Sequence, residues 1–194
     1  AVPDENVPAA ATAAKTQMLN RLTAWKNISA IDGISAIYDE LNASTARDAM
    51  GILAAVSKAQ TDFAAAVDGK HVKLTICESD TKNQRYGRVL ALDATQAHGK
   101  KPKQTADEYI TLKANRDATV NLYNEYYNTY VAAPGTANAA TAEVAGNFYL
   151  QISSNTTSAV QNVAAFKTKE NDMLHMSANG DCPLMKWVDF NDGA

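Results

Sequence analysis

The first third of the chain carries apolar residues at helical spacing. Between Pro8 and Ile31 they recur three or four positions apart, at Met18, Leu22, Trp25 and Ile28. After Asp32-Gly33 the same period continues at Ile34, Ile37 and Leu41. A second stripe runs from Ala49 to Val67 and stops at Gly69, a residue suited to the left-handed position after a helix. The pattern predicts a helical pair over residues 8–68, with Ser44 as the N-cap of the second helix.

The period of the pattern changes near residue 70. From His71 to Cys77 the residues alternate, which places Val72, Leu74 and Ile76 on one side of an extended chain. This alternation is typical of a half-buried strand. Apolar residues between Arg85 and Leu92 predict a second strand, and Thr95 to Gln104 is expected to form a loop. We therefore predict a small β-hairpin over residues 70–93, within a β insertion that spans residues 70–104.

The second half of the chain is predicted to form two further helices. Thr105 and Glu108 have the spacing of a capping box, in which each side chain bonds the backbone of the other residue. The helix that it opens would end at Pro134-Gly135, and a fourth would span residues 137–172. The fold class is therefore mainly α, an elongated up-down four-helix bundle. One domain, 1–194, would comprise the helical pairs 8–68 and 105–172, the β insertion 70–104 and a docked tail, 173–194.

Two cysteines suggest how the tail is held. Cys77 follows the predicted strand and Cys182 begins the apolar part of the tail. The opening Ala1-Val2-Pro3-Asp4-Glu5-Asn6 looks like what remains after signal peptidase cuts behind small residues. We therefore expect a secreted or periplasmic protein or an extracellular surface protein, with a Cys77–Cys182 disulfide. The alternative is a cytosolic protein with two buried thiols. Sequons at Asn27, Asn42 and Asn155 are about as frequent as chance allows, so they do not predict glycosylation.

Composition narrows the functional classes. The chain is 46% hydrophobic and has no apolar run near the roughly 18 residues that a membrane-spanning helix needs. Catalytic motifs such as GxSxG, the P-loop and the Rossmann glycines are missing from the sequence, so an enzyme is not favoured and no cofactor is expected. Three soft donors, Met173, His175 and Met176, are weak candidates for binding copper(I). The alternative interpretation is a methionine-lined helix end that packs against the tail.

Charge gives the strongest functional indication. Residues 70–103 contain eight Lys or Arg against three acidic residues, although the whole chain has a net charge of -3. A basic surface would suit a polysaccharide, a lipid headgroup or another subunit, whereas nucleic acid is unlikely for an acidic chain. The alternative is that the acidic tail folds over the insertion and neutralises it. The predicted interaction surface comprises Lys73, Arg85, Arg88, Lys100, Lys101, Lys103, Trp187 and Phe190.

Tyrosines offer a second surface for binding. Tyr123, Tyr127 and Tyr130 would share one face of the third helix, either lining a cleft or an interface or filling the core. Together these features predict a structural or interaction protein that associates with itself or with another protein, or binds an anionic partner. A carrier holding a small apolar ligand or a metal between helices is the alternative.

Overall fold

The computed structural model describes residues 7–28, 31–76, 78, 80–132, 141–152, 164–168, 173–176 and 184–187. Within these ranges it contains three α-helices and ten short β-strands. The chain divides into two compact units, a helical unit of residues 1–68 with 114–118, and a sheet unit of residues 69–113 with 119–194. The prediction of a single domain over 1–194 is untested and stays a prediction.

The helical unit confirms the period found in the first third of the sequence. Its helices are α1 (Val7–Ile28), α2 (Ile34–Ala43) and α3 (Ala49–Val67), and α1 packs against both of the others. The predicted stripes are buried at Met18, Leu22, Trp25, Ile34, Ile37, Leu41, Ile52, Val56, Phe63 and Val67. Burying side chains of this size stabilises a fold by about 1.5–3 kcal/mol each.

Two boundaries in the helical unit follow from local chemistry. Gly33 has a φ of 90°, a left-handed backbone that glycine adopts without strain, so the chain turns there between α1 and α2. The N-cap of α3 is Asp48, whose Oδ1 accepts a hydrogen bond from the Gly51 amide at 2.8 Å. The prediction of Ser44 as that cap is therefore wrong by four positions.

The sheet unit contains the strands β1 (His71–Val72), β2 (Val89–Leu92), β3 (Ala97–Lys100), β4 (Ile110–Ala114), β5 (Val120–Asn124), β6 (Thr129–Tyr130), β7 (Tyr149–Ile152), β8 (Ala164–Lys167), β9 (Met173–Met176) and β10 (Leu184–Trp187). One four-stranded sheet has the order β1-β4-β5-β6 and another the order β10-β9-β8-β7, while β2 pairs with β3. An antiparallel bridge between Val120 and Phe148 connects the two larger sheets. The last residue of β4, Ala114, belongs to the helical unit.

The predicted β-hairpin is found only in part, because residues 71 and 72 form β1 and pair with β4. Leu90 donates its amide hydrogen to the Leu74 carbonyl oxygen, and Ile76 donates to Arg88, so the chain around residues 74–76 pairs with β2. The prediction of a loop over 95–104 is wrong in its first half, because residues 97–100 form β3 and pair with β2.

The four-helix bundle is wrong. No α-helix follows residue 105 within the described part of the chain, and strands β4 to β8 lie in the ranges assigned to the third and fourth helices. The misjudged residues include Ile110, Thr111, Val120 and Tyr123, whose β-branched or aromatic side chains favour a pleated sheet. Ile110, Leu112 and Leu122 are buried in the sheet unit, so tertiary packing and β-propensity act together.

The proposed tether of the tail is also corrected. The Cys77–Cys182 disulfide is not found. Both cysteines lie outside the described residues, and the part of the chain that the structure describes contains no disulfide. The tail does contain a strand, β10, but it pairs with β9 and does not extend the predicted hairpin. Cα atoms of β10 approach those of β3 within 8 Å, which places this strand beside the insertion.

Candidate interaction site

A basic loop lies at one end of the sheet with the order β1-β4-β5-β6, which we call the first sheet. We use the name basic loop for residues 101–105, which connect β3 to the short 3-10 helix at Ala106–Glu108. All five residues are exposed, and Lys101 and Lys103 carry the charge. Gln104 has a φ of 60°, in the left-handed region that residues other than glycine rarely occupy. The shape of this loop is therefore imposed by its surroundings.

The buried carboxylate of Glu108 holds the loop in this shape through hydrogen bonds. Its side chain is 0% exposed. Oε1 accepts hydrogen bonds from the Lys103 amide at 2.6 Å and the Thr105 hydroxyl at 3.1 Å, while Oε2 accepts from the Gln104 amide at 3.1 Å. Burial alone would raise the pKa of Glu108, but the backbone hydrogen bonds from the loop outweigh it and lower the pKa to about 2. The carboxylate is thus charged at neutral pH and fixes the loop.

Two lysines balance the charge of Glu108. Lys73 Nζ lies 3.4 Å from Oε2, and Lys100 Nζ lies 3.4 Å from Oε1 and 2.6 Å from Asp107 Oδ2. Partial burial opposes the charged form of Lys100, but Asp107 and Glu108 prevail and raise its pKa. Burial likewise opposes ionisation of Asp107, yet the hydrogen bonds from Lys100 and Thr105 lower its pKa. The charges of Lys73 and Lys100 are therefore used inside the sheet unit.

Asn124 ties the loop region to the tyrosine hairpin, the name used here for residues 120–130. Its side chain is 0% exposed. Nδ2 donates to the carbonyl oxygens of Ala106 at 2.9 Å and Tyr109 at 3.2 Å, and Oδ1 accepts from the Tyr127 amide at 3.0 Å. One buried amide thus joins the segment that follows the basic loop to the turn between β5 and β6.

Tyrosines and lysines share the neighbouring surface. Lys73 Nζ lies 5.0 Å from the centroid of the Tyr109 ring, and Lys113 Nζ lies 5.3 Å from that of Tyr123. Both distances are typical of cation–π contacts. Tyr123 and Tyr130 are opposite one another in the β5–β6 register, with ring centroids 4.5 Å apart. Tyr109 lies in extended chain directly before β4 and Lys113 lies within β4, so the two are an even number of positions apart and project to the same side.

The most exposed rings lie at the loop end of this surface. Tyr126 is 75% exposed and Tyr109 is 45% exposed. Tyr126 packs edge-on against Tyr127, with centroids 4.8 Å apart. Because Asn124 bonds both the Tyr109 carbonyl and the Tyr127 amide, these rings and the basic loop belong to one end of the sheet.

The arginines of the predicted interaction surface are engaged internally. Arg85 Nη2 lies 3.2 Å from Glu78 Oε2. Arg88 donates from Nη1 to the Gly99 carbonyl oxygen at 3.0 Å and from Nε to that of Gln84 at 2.5 Å. These side chains stabilise the β2–β3 region. Lys101 and Lys103, in contrast, make no ion pair with any residue that the structure describes.

The remaining predicted site residues lie in the tail region. Trp187 ends β10, and Met173, His175 and Met176 lie on β9, but their side chains fall outside the described part of the chain. Phe190, with the acidic residues expected to cover the insertion, lies outside it entirely. Among the described residues, no group of three or more His, Cys, Asp or Glu side chains is arranged to hold a metal ion.

Sequence reasoning missed three residues of this site. Glu108 was identified only as a helix cap, and neither Lys113 nor Asn124 was singled out. The alternation of Ile110, Leu112 and Ala114 with polar Thr111 and Lys113 was a signal for a strand that brings Lys113 to the tyrosine face. Nothing in the sequence marked Asn124 apart from its place in a run of asparagine and tyrosine.

Comparison with known proteins adds no family to this description. No protein-family model matches the chain, and no curated protein is significantly similar to it in sequence. Among the described helices, none has both the length and the apolar character required to cross a membrane.

Proposed function

We propose that this chain is an interaction protein that binds an anionic partner through the basic loop. The observation that carries the proposal is a rigidly held, exposed loop with two lysines that have no ion-pair partner among the described residues. The secreted, periplasmic or extracellular surface location expected from the sequence stays a prediction.

The pairing of four other cations in residues 70–103 narrows the choice of site. Lys70 and Lys82 are also exposed without an ion pair among the described residues, but Glu108 does not hold their backbone. Lys73, Lys100 and Arg85 form ion pairs within the sheet unit, and Arg88 bonds backbone carbonyls. A charge already paired gains little from a second anion, since the first partner must be displaced. Lys101 and Lys103 are exposed and require no such exchange.

Preorganisation of the loop supports a role in binding. Ordering a flexible backbone costs about 1–2 kcal/mol per residue, and a loop that is already ordered avoids this cost when it binds. Here the Glu108 carboxylate accepts hydrogen bonds from the backbone amides of Lys103, Gln104 and Thr105. These bonds hold Gln104 at a positive φ. A loop that only connects two elements through solvent does not require a buried carboxylate to fix its backbone.

The alternative of a carrier that holds a small apolar ligand or a metal stays a prediction, but the helical bundle that it assumed is wrong. It placed the ligand between helices, with the tyrosines or the cluster of Met173, His175 and Met176 lining the site. Tyr109, Tyr123 and Tyr130 instead lie in or beside the strands of a sheet, and Tyr109 is 45% exposed. Self-association stays a second candidate, because the sheet unit presents exposed tyrosines that suit a protein interface.

The test compares two double charge reversals with the same net charge. The site variant carries Lys101→Glu and Lys103→Glu, and the control carries Lys70→Glu and Lys82→Glu, two exposed lysines without an ion pair among the described residues. Binding to heparin, a generic polyanion, is measured by isothermal titration calorimetry at low and physiological salt. We expect the site variant to bind about tenfold more weakly than the control at low salt, with a smaller difference at higher salt.

The proposal fails if both double variants lose the same affinity, because the effect would then reflect net charge alone. Thermal melting of each variant checks that the fold persists. Light scattering on the same samples tests self-association: a larger particle in the wild type that the site variant dissociates would favour the second candidate.

A further inference from the structure

We propose that the anionic partner is an acidic polysaccharide rich in uronic acid, whose sugar rings pack on the exposed tyrosines and whose carboxylates pair with the basic loop. This inference rests on the proposed function and names the class of partner. It depends on the joint placement of Tyr109, Tyr126, Lys101 and Lys103 at one end of the first sheet.

The aromatic part of the surface suits a sugar. One face of a pyranose ring presents mainly C–H groups and packs on the face of an aromatic ring, while its hydroxyl groups bond polar atoms at the rim. Tyrosine offers both a flat apolar ring and a hydroxyl, and its side chain loses little conformational entropy on binding. Tyr126 at 75% exposure and Tyr109 at 45% exposure have ring area left to contact a ligand.

The arrangement suits an extended polymer. Tyr109, directly before β4, and Lys113, within β4, are four positions apart in extended chain, which corresponds to about 13 Å at the rise of a β-strand. Lys113 stands over the Tyr123 ring, and Tyr123 contacts Tyr130 across the β5–β6 pair. Aromatic and cationic groups thus recur along the surface, and a chain of several sugar units would contact more than one of them.

Several features favour a polysaccharide over a single-stranded nucleic acid, which also stacks on aromatic residues beside positive charge. Phosphate recognition commonly uses the arginine fork, but Arg85 and Arg88 are bonded to Glu78 and to backbone carbonyls. The basic loop itself contributes two lysines and no arginine, so it lacks the bidentate fork that phosphate groups favour.

The test removes aromatic surface without changing charge. The site variant carries Tyr109→Ala and Tyr126→Ala, and the control is Tyr86→Ala, which removes a tyrosine that is 47% exposed on a different loop of the sheet unit. Binding to polygalacturonate, heparin and single-stranded DNA is measured by affinity electrophoresis. We expect the site variant to bind polygalacturonate about tenfold more weakly than wild type, with little change in Tyr86→Ala.

The outcomes separate this inference from the proposed function. If Tyr109→Ala/Tyr126→Ala binds polygalacturonate as wild type does, while Lys101→Glu/Lys103→Glu still loses heparin binding, the anion site stands and the polysaccharide assignment is wrong. If wild type binds single-stranded DNA more tightly than polygalacturonate, and the tyrosine variant loses that binding, the partner is a nucleic acid. If the lysine variant binds every polyanion normally, the proposed function fails as well.

Discussion

Replacing Glu108 with glutamine tests the core of the interaction site. The wild-type carboxylate has a pKa of about 2, against 4.5 for an ordinary glutamate, which corresponds to about 3 kcal/mol of stabilisation at neutral pH. The loop above it is thin and exposed, so solvent screening reduces this to about 1–2 kcal/mol. Glutamine also points an amide NH₂ at backbone N–H donors, which leaves at least one donor unpaired and costs about 1–3 kcal/mol. We expect a total loss of about 2–5 kcal/mol for Glu108→Gln.

The assay is urea unfolding followed by far-UV circular dichroism across a pH series. Because the folded pKa of Glu108 lies below the unfolded value, its contribution is complete above pH 4.5 and is lost as the pH falls toward about 2. Wild type and Glu108→Gln should therefore differ most at neutral pH and converge in acid. Glu125→Gln is the control, since Glu125 is exposed in the same unit, and we expect it to change stability by less than about 0.5 kcal/mol.

Two results would refute the reasoning about Glu108. A loss in Glu108→Gln no larger than that in Glu125→Gln would show that the buried carboxylate does not stabilise the fold. A loss that stays constant from neutral to acidic pH would show that packing, and not the charge, is responsible. Hydrogen exchange at the Lys103 and Gln104 amides provides a local readout, because these amides should exchange faster when their acceptor is weakened.

Two further substitutions test how the sheet unit is held. Asn124→Ala removes three hydrogen bonds made by a buried side chain, so we expect it to lower the free energy of unfolding by about 2–3 kcal/mol and to speed hydrogen exchange at the Tyr127 amide. Unchanged exchange at Tyr127 would show that these hydrogen bonds do not hold the turn. Gly146→Ala places a Cβ 2.8 Å from the Ala132 carbonyl oxygen and against the buried Phe148 ring. Thermal melting should therefore show that the free energy of unfolding falls by about 1–3 kcal/mol. An unchanged melting temperature would mean that the ring shifts freely.

The helical unit was predictable because several local signals agreed. Alanine-rich segments, a 3.6-residue period and Gly33 all pointed to helices, and the buried residues match the predicted stripes. The sheet unit was harder because two signals conflicted after residue 105. Tyr109, Leu112, Arg116, Val120 and Tyr123 fit a helical spacing by coincidence, while their β-branched and aromatic neighbours favour strands.

The capping box shows how a correct local prediction led to a wrong element. The Glu108 side chain does reach back to the Thr105 amide, at 3.4 Å, as the motif requires. The motif satisfies the first amides of any helical turn, and here that turn is a single 3-10 turn of residues 106–108. Whether a helix continues depends on the residues that follow, and Ile110 and Thr111 continue as a strand.

Counting charges overstated the basic surface, because a count ignores pairing within the fold. Of the eight cations in residues 70–103, Lys73, Lys100 and Arg85 pair with carboxylates of the sheet unit, and Arg88 bonds carbonyl oxygens. The sequence alone could not reveal this, since Lys73 and Glu108 meet only when β1 and β4 align in register. The paired cations serve the fold by holding Glu108 and the β2–β3 region in place. Lys70, Lys82, Lys101 and Lys103 remain exposed, and of these only Lys101 and Lys103 lie in the loop that Glu108 holds in shape.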